Sequence, residues 1–74
     1  MNELPLSAMR TGERATVTAI RTTSVRIEKL AALGVLPGVE ICVHQKRPAI
    51  VIESGETVLA LEPEMAETIF VSRL

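Results

Sequence analysis

The chain has 74 residues, 47% of them hydrophobic, with eight basic and nine acidic side chains and a net charge of −1. That length allows one small core, the apolar content argues against disorder, and so weak a field leaves no electrostatic footprint for DNA or RNA. Phe70 is the whole aromatic complement, which argues against the base-stacking platforms of single-strand binders and the Tyr- and Trp-lined grooves that hold proline-rich peptides.

The single cysteine, Cys42, cannot form an intrachain disulfide and suits a reducing compartment. Met1-Asn2-Glu3-Leu4-Pro5 lacks the basic and apolar regions of a signal peptide. No apolar run nears the roughly 18 residues of a membrane span. The expectation is one cytoplasmic domain over residues 1–74, with no direct insertion into a membrane.

Taken in order, Leu4, Leu6 and Met9 form an apolar lead-in that packs over one end of the core, and Thr11-Gly12 is a turn signal. Arg14 to Thr22 is β-branched and alternates, which predicts a first strand with Ala15, Val17 and Ala19 on one face and Thr16, Thr18 and Ile20 on the other. Thr23-Ser24 offers an N-cap. Ile27, Leu30, Ala31 and Gly34 then recur at helical spacing, so a short helix follows and must dock its apolar side on a sheet.

Leu30 to Val43 is the best-specified stretch. Gly34 follows the last apolar helical position, where a left-handed backbone closes a helix. Leu36 is pushed into extended space by Pro37, and Pro37-Gly38 suits the centre of a type II turn. From Val39 the pattern becomes strict alternation, a second strand with Val39, Ile41 and Val43 facing inward. No phosphate-loop spacing accompanies these glycines, so the cap and the turn account for them.

Gln45 to Pro48 reads as a charged connection, Ala49 to Glu53 as a third strand, and Ser54-Gly55-Glu56 as a hairpin loop. Thr57 to Leu61 is a fourth strand. Glu62 to Glu67 reads as one helical turn with Pro63 at its first position, and Ile69 to Ser72 as a final strand. The fold class expected is mainly β: a small barrel of about five antiparallel strands, closed to avoid exposed edges, with one short helix between strands one and two.

Glu40, Cys42 and His44 share the second strand's outward face, because side chains repeat every second residue. A carboxylate, a thiol and an imidazole there are candidate ligands for Fe²⁺ or Zn²⁺, while the plainer reading makes them solvent-facing strand residues. A complete structural site takes four ligands, which two copies meeting at a two-fold would supply, so a homodimer is a further expectation. One histidine, one cysteine and no nucleophile–base motif or cofactor fingerprint argue against an enzyme.

The pattern Leu30-x-x-Leu33-Gly34-Val35-x-Pro37-Gly38-x-x-Ile41-x-Val43 resembles the signature of the FeoA family, ferrous iron transport protein A. Leu6-x-x-Met9-x-x-Gly12-Glu13, Val58-x-Ala60-Leu61 and Ala66-x-x-Ile69-x-Val71 fit the same family, so the likeness runs nearly end to end. The resemblance implies an SH3-like barrel that is not an enzyme but a cytoplasmic accessory protein of FeoB, the membrane Fe(II) transporter with a GTPase domain. It also implies transition metal ion binding; the alternative expectation is a stand-alone regulatory domain like the C-terminal domains of metal-dependent repressors, serving dimerisation or peptide docking. Glu62-Pro63 and the short connection from Lys46 to Ala49 depart from the family pattern. For a docking GTPase domain the candidate surface is Leu33, Val35 and Leu36, with Phe70 as a second one. An RNA-binding role fits poorly with the charge and the lone aromatic.

Overall fold

The alternating segments all become strands. The computed structural model describes residues 3–74. Its strands are β1 (Glu3–Pro5), β2 (Arg14–Ile20), β3 (Glu40–Gln45), β4 (Ile50–Ser54), β5 (Thr57–Leu61) and β6 (Ile69–Arg73). They form one antiparallel sheet in the order β1-β6-β2-β3-β4-β5. A 3-10 turn, Leu6–Ala8, follows β1, helix α1 is Ser24–Ala32, and the short helix α2 is Pro63–Ala66.

Two expectations are corrected here. The sheet is not closed: among the described residues nothing pairs β1 with β5, so both remain edges. The helix also lies between the second and third strands, because Glu3–Pro5 is itself a strand, pairing Leu4 with Val71 and Pro5 with Phe70. Three residues are too few to show a period, and their pairing partner is the far end of the chain. Pro5 has no N–H to donate, which a strand tolerates at the edge.

One buried cluster gathers Leu6 and Met9 from the lead-in, Ala15 and Val17 from β2, and Ile41 and Val43 from β3. Ile50, Ile52, Leu61, Ile69 and Val71 complete it from the remaining long strands, with Leu30 and Ala66 from the helices and Val35 from the loop after α1. Leu6 and Met9 are fully buried and Leu4 packs against the same cluster, as the lead-in reading expects.

Ile20 packs against this core, whereas alternation puts it outside. The cause is a register shift between Val17 and Ala19: Val17 pairs with Val71, but Ala19 pairs with Phe70 and Ile20 with Ile69. The extra residue reverses the faces downstream of it, so Ala19 turns outward and Ile20 inward. A second shift, between Val43 and Gln45, marks the end of β3.

Helix α1 begins as its sequence dictates, with the Thr23 side chain accepting a hydrogen bond from the Arg26 N–H. It buries only Leu30 fully. At its end the Val35 N–H donates to the Leu30 carbonyl at 2.8 Å and the Gly34 N–H to the Ala31 carbonyl at 2.9 Å. Gly34 has φ +91°. This is the Schellman arrangement, and it drives Val35 into the core beside Leu30.

Candidate functional site

The turn after α1 is pinned from three sides. The Val39 N–H donates to the Leu36 carbonyl at 3.2 Å, closing the turn over Pro37 and Gly38, and Gly38 has φ +96°. The Gly38 N–H donates to the Val17 carbonyl at 2.8 Å and the Val17 N–H to the Val39 carbonyl at 2.9 Å, which clamps the turn to β2. Ser54, at the end of β4, donates its hydroxyl to the Gly34 carbonyl at 2.8 Å.

Two apolar side chains stand out from this corner: Leu33 is 48% exposed and Leu36 is 40% exposed. Val35, expected beside them as a docking residue, is 0% exposed and belongs to the core. The Schellman geometry decides this, since the residue after the left-handed glycine folds back over the last helical turn. The corner thus offers Leu33 and Leu36 on a backbone held by the helix, β2 and β4. Exposed aliphatic groups on a fixed frame suit a partner surface, because little order is lost when a partner covers them.

Phe70 sits on the outward face of β6 between the buried Ile69 and Val71, as its alternation requires. It is half-buried rather than free, because the Arg21 guanidinium lies 4.3 Å from the ring centroid. Arg21 Nη2 also donates to Glu3 Oε1 at 3.0 Å, and the Thr18 hydroxyl donates to Glu3 Oε2 at 2.7 Å. The Thr18 hydroxyl bond, then Arg21, hold the Glu3 carboxyl below its usual range. The ring is therefore the floor of a polar cluster.

The outer face of β3 carries Glu40, Cys42 and His44 in a row, each already engaged or set apart from the others. Arg14 Nε lies 3.4 Å from Glu40 Oε2, and His44 Nε2 lies 2.8 Å from Glu53 Oε1. Cys42 is half-buried between them, opposite Arg14 on one side and Glu53 on the other. Arg14, Glu40, Ile41, Cys42, Glu53 and Gly55 line a shallow open depression of about 290 Å³. Among the described residues no group of three or more His, Cys, Asp or Glu side chains is placed to hold a metal ion. As folded, the row does not amount to a metal centre. Sequence reasoning missed Glu53 and Arg14 as its neighbours. The β4–β5 hairpin loop sets only the register of those two strands; Glu53 reaches Cys42 and His44 through the β3–β4 pairing, across the connection before Ile50 whose irregular pattern carries no register signal.

No helix among the described residues is long and apolar enough to cross a membrane. Among the curated proteins, none matches the sequence. The chain superposes over its full length on all of a crystal structure of an iron uptake regulatory protein, FeoA, with TM-score 0.91 and 28% identity. The zinc-complexed FeoA of Stenotrophomonas maltophilia, described as an SH3 domain protein, matches 93% of the chain and 89% of its own length, with TM-score 0.81 and 24% identity. A manganese-dependent transcriptional repressor matches 97% of the chain but only 42% of its own length, with TM-score 0.86 and 22% identity. The last two establish a shared SH3-like fold. The family model for the FeoA domain matches residues 4–73, nearly the whole chain. With the Gly34 stop, the Pro37-Gly38 turn and the alternation through Val43 all in place, the chain belongs to the FeoA domain family.

Proposed function

We propose that this chain is a cytoplasmic, non-enzymatic accessory protein of ferrous iron uptake. It binds the cytosolic GTPase domain of a FeoB-type membrane transporter through Leu33 and Leu36. Membership of the FeoA family over residues 4–73 carries the reading, and the full-length likeness to an iron uptake regulatory protein supports it. Leu33 and Leu36 are the choice of surface because they are exposed, apolar and held on a fixed corner, whereas Phe70 is already covered by Arg21. Nucleic acid is not the partner in this reading, given a net charge of −1 and one aromatic residue.

Metal enters the reading through two copies of the chain. Cys42 and His44 from each of two subunits meeting at a two-fold make four ligands for Fe²⁺ or Zn²⁺, with Glu40 in reserve. A single copy leaves His44 bonded to Glu53 and Glu40 paired with Arg14.

The test is capture of the soluble GTPase domain of the cognate transporter by this protein and by Leu36→Lys. Leu36 is exposed, so the variant keeps its fold, and loss of capture with an unchanged circular dichroism spectrum is the expected result. Retained capture moves the interface to Phe70. A second reading follows from the repressor match: a stand-alone regulatory domain for dimerisation or peptide docking, of the kind that makes up 42% of that repressor. A gene neighbour encoding a repressor instead of a transporter favours it.

A further inference from the structure

The two edges of the sheet differ in a way the family reading does not use. Edge strands present unpaired N–H and C=O groups, and proteins blunt them with proline, bulges, internal charges or short length. β1 is blunted: it has three residues and ends in Pro5. β5 has none of these devices. Its five residues, Thr57-Val58-Leu59-Ala60-Leu61, are uncharged, and their register with β4 runs without a shift from Thr57 opposite Ser54 to Leu61 opposite Ile50. No other strand pairs with it among the described residues.

The hairpin says which groups are free. Gly55 and Glu56 alone separate the paired residues Ser54 and Thr57, and Gly55 has φ +62°, the first central position of a type II′ turn. Such a turn closes on a hydrogen-bonded pair, and antiparallel pairs alternate. Thr57, Leu59 and Leu61 therefore bond back to β4, while Val58 and Ala60 turn their N–H and C=O groups to the open side. The same two residues are exposed, Val58 at 58%. Leu59, between them, packs against the core.

Charge selects the occupant. Glu56 and Glu62 bracket the strand, both exposed, and Glu53 sits opposite Val58 on the neighbouring strand. In a second copy paired antiparallel about Leu59, Glu56 would face Glu62 of that copy at both ends, and directly opposed like charges are destabilising. The flanks repel a copy of the chain and attract a basic one.

We propose that β5 is a docking edge for an extended segment of a partner protein: three apolar, β-forming residues flanked by lysine or arginine at positions i and i+6, added antiparallel beside Val58 and Ala60. The segment extends the sheet by about 17 Å of strand. Its central side chain lies beside Leu59, and its basic ends meet Glu62 and Glu56. The surface is distinct from the Leu33–Leu36 corner, and the inference does not rest on the transporter reading.

The test uses the whole chain, labelled for amide NMR, and the capped peptide Lys-Thr-Val-Ile-Val-Thr-Lys, with Glu-Thr-Val-Ile-Val-Thr-Glu as control. Shifts centred on Val58 and Ala60, with slowed hydrogen exchange at those amides, are expected with the basic peptide. The acidic one should bind roughly tenfold more weakly. The double variant Glu56→Lys, Glu62→Lys should invert that preference. Ala60→Pro removes an N–H that faces away from β4, so the fold tolerates it while binding weakens at least about tenfold. Binding by neither peptide, equal binding by both, or shifts confined to Leu33 and Leu36 overturns the proposal. Self-association of the wild-type chain that Ala60→Pro abolishes also overturns it, in favour of a second copy.

Discussion

Ser54 Oγ donates a hydrogen bond to the Gly34 carbonyl oxygen over 2.8 Å, joining the last residue of β4 to the residue that stops α1. Ser54 is only 3% exposed and, among the described residues, is the one buried polar residue of an otherwise apolar core. A carbonyl just past a helix end lacks an intrahelical donor, and this hydroxyl supplies one. The bond sets the corner that carries Leu33 and Leu36 against the β4–β5 hairpin.

Ser54→Ala should destabilise the fold by about 1 kcal/mol, the net worth of such a bond when its acceptor keeps some access to water. The urea midpoint, read at constant m-value, measures this. An unchanged midpoint would mean that the bond contributes nothing and the corner is held by the end of α1 and by β2.

Gly38 separates strain from crowding. At φ +96°, an added Cβ finds no heavy atom within 4 Å, so any cost is that of the backbone conformation. Gly38→Ala should therefore cost about 1–2 kcal/mol. Gly38→Val should cost more than Gly38→Ala, and so more than about 1 kcal/mol, since a β-branched residue resists positive φ further. If Ala is neutral in urea while Val is costly, crowding is the cause instead.

Acid should weaken the fold through Glu13. Its carboxylate accepts from the Arg10 N–H at 2.8 Å and from Arg73 Nε at 2.9 Å, and these two, in that order, hold it below its ordinary value of 4.5. A carboxyl lowered on folding stabilises the native state above its unfolded value, and that contribution disappears as pH falls through the folded one. Stability should therefore decline below about pH 4.5, through both Glu13 and Glu3. Urea midpoints between pH 7 and pH 3 should fall less steeply for Glu13→Gln than for wild type. Parallel curves would assign the acid limb to other carboxyls.

The two-copy metal reading predicts stoichiometry as well as affinity. Calorimetric titration with Zn²⁺ or Fe²⁺ should saturate at one ion per pair of chains, with sedimentation showing dimer, and His44→Ala should abolish the heat. Equal heats from wild type and His44→Ala would remove the outer face of β3 from consideration.

Local chemistry was legible wherever neighbouring residues decide the outcome. Thr23 caps α1, Gly34 stops it, and Pro37-Gly38 turns the chain, because φ preferences and hydrogen bonds of a few adjacent residues suffice. The outward row of Glu40, Cys42 and His44 was equally legible from alternation, but their partners were not. Arg14 and Glu53 reach them across strand pairs.

What the tertiary structure alone decided is nonlocal. β1 exists because the chain's far end offers it a pairing edge, and Ile20 faces inward because a bulge against Phe70 and Val71 resets the alternation. The sheet stays open because no strand joins β1 to β5 among the described residues. Alternation along the sequence tells which residues share a face within one strand. Which strand lies beside it, and in what register, depends on free energies summed over contacts between distant segments. The sequence by itself determined the corner and its family. The helix-end geometry turns Val35 inward, and the tertiary packing determined that it meets a core there, that Leu33 and Leu36 remain exposed, and that β5 is left with an open edge.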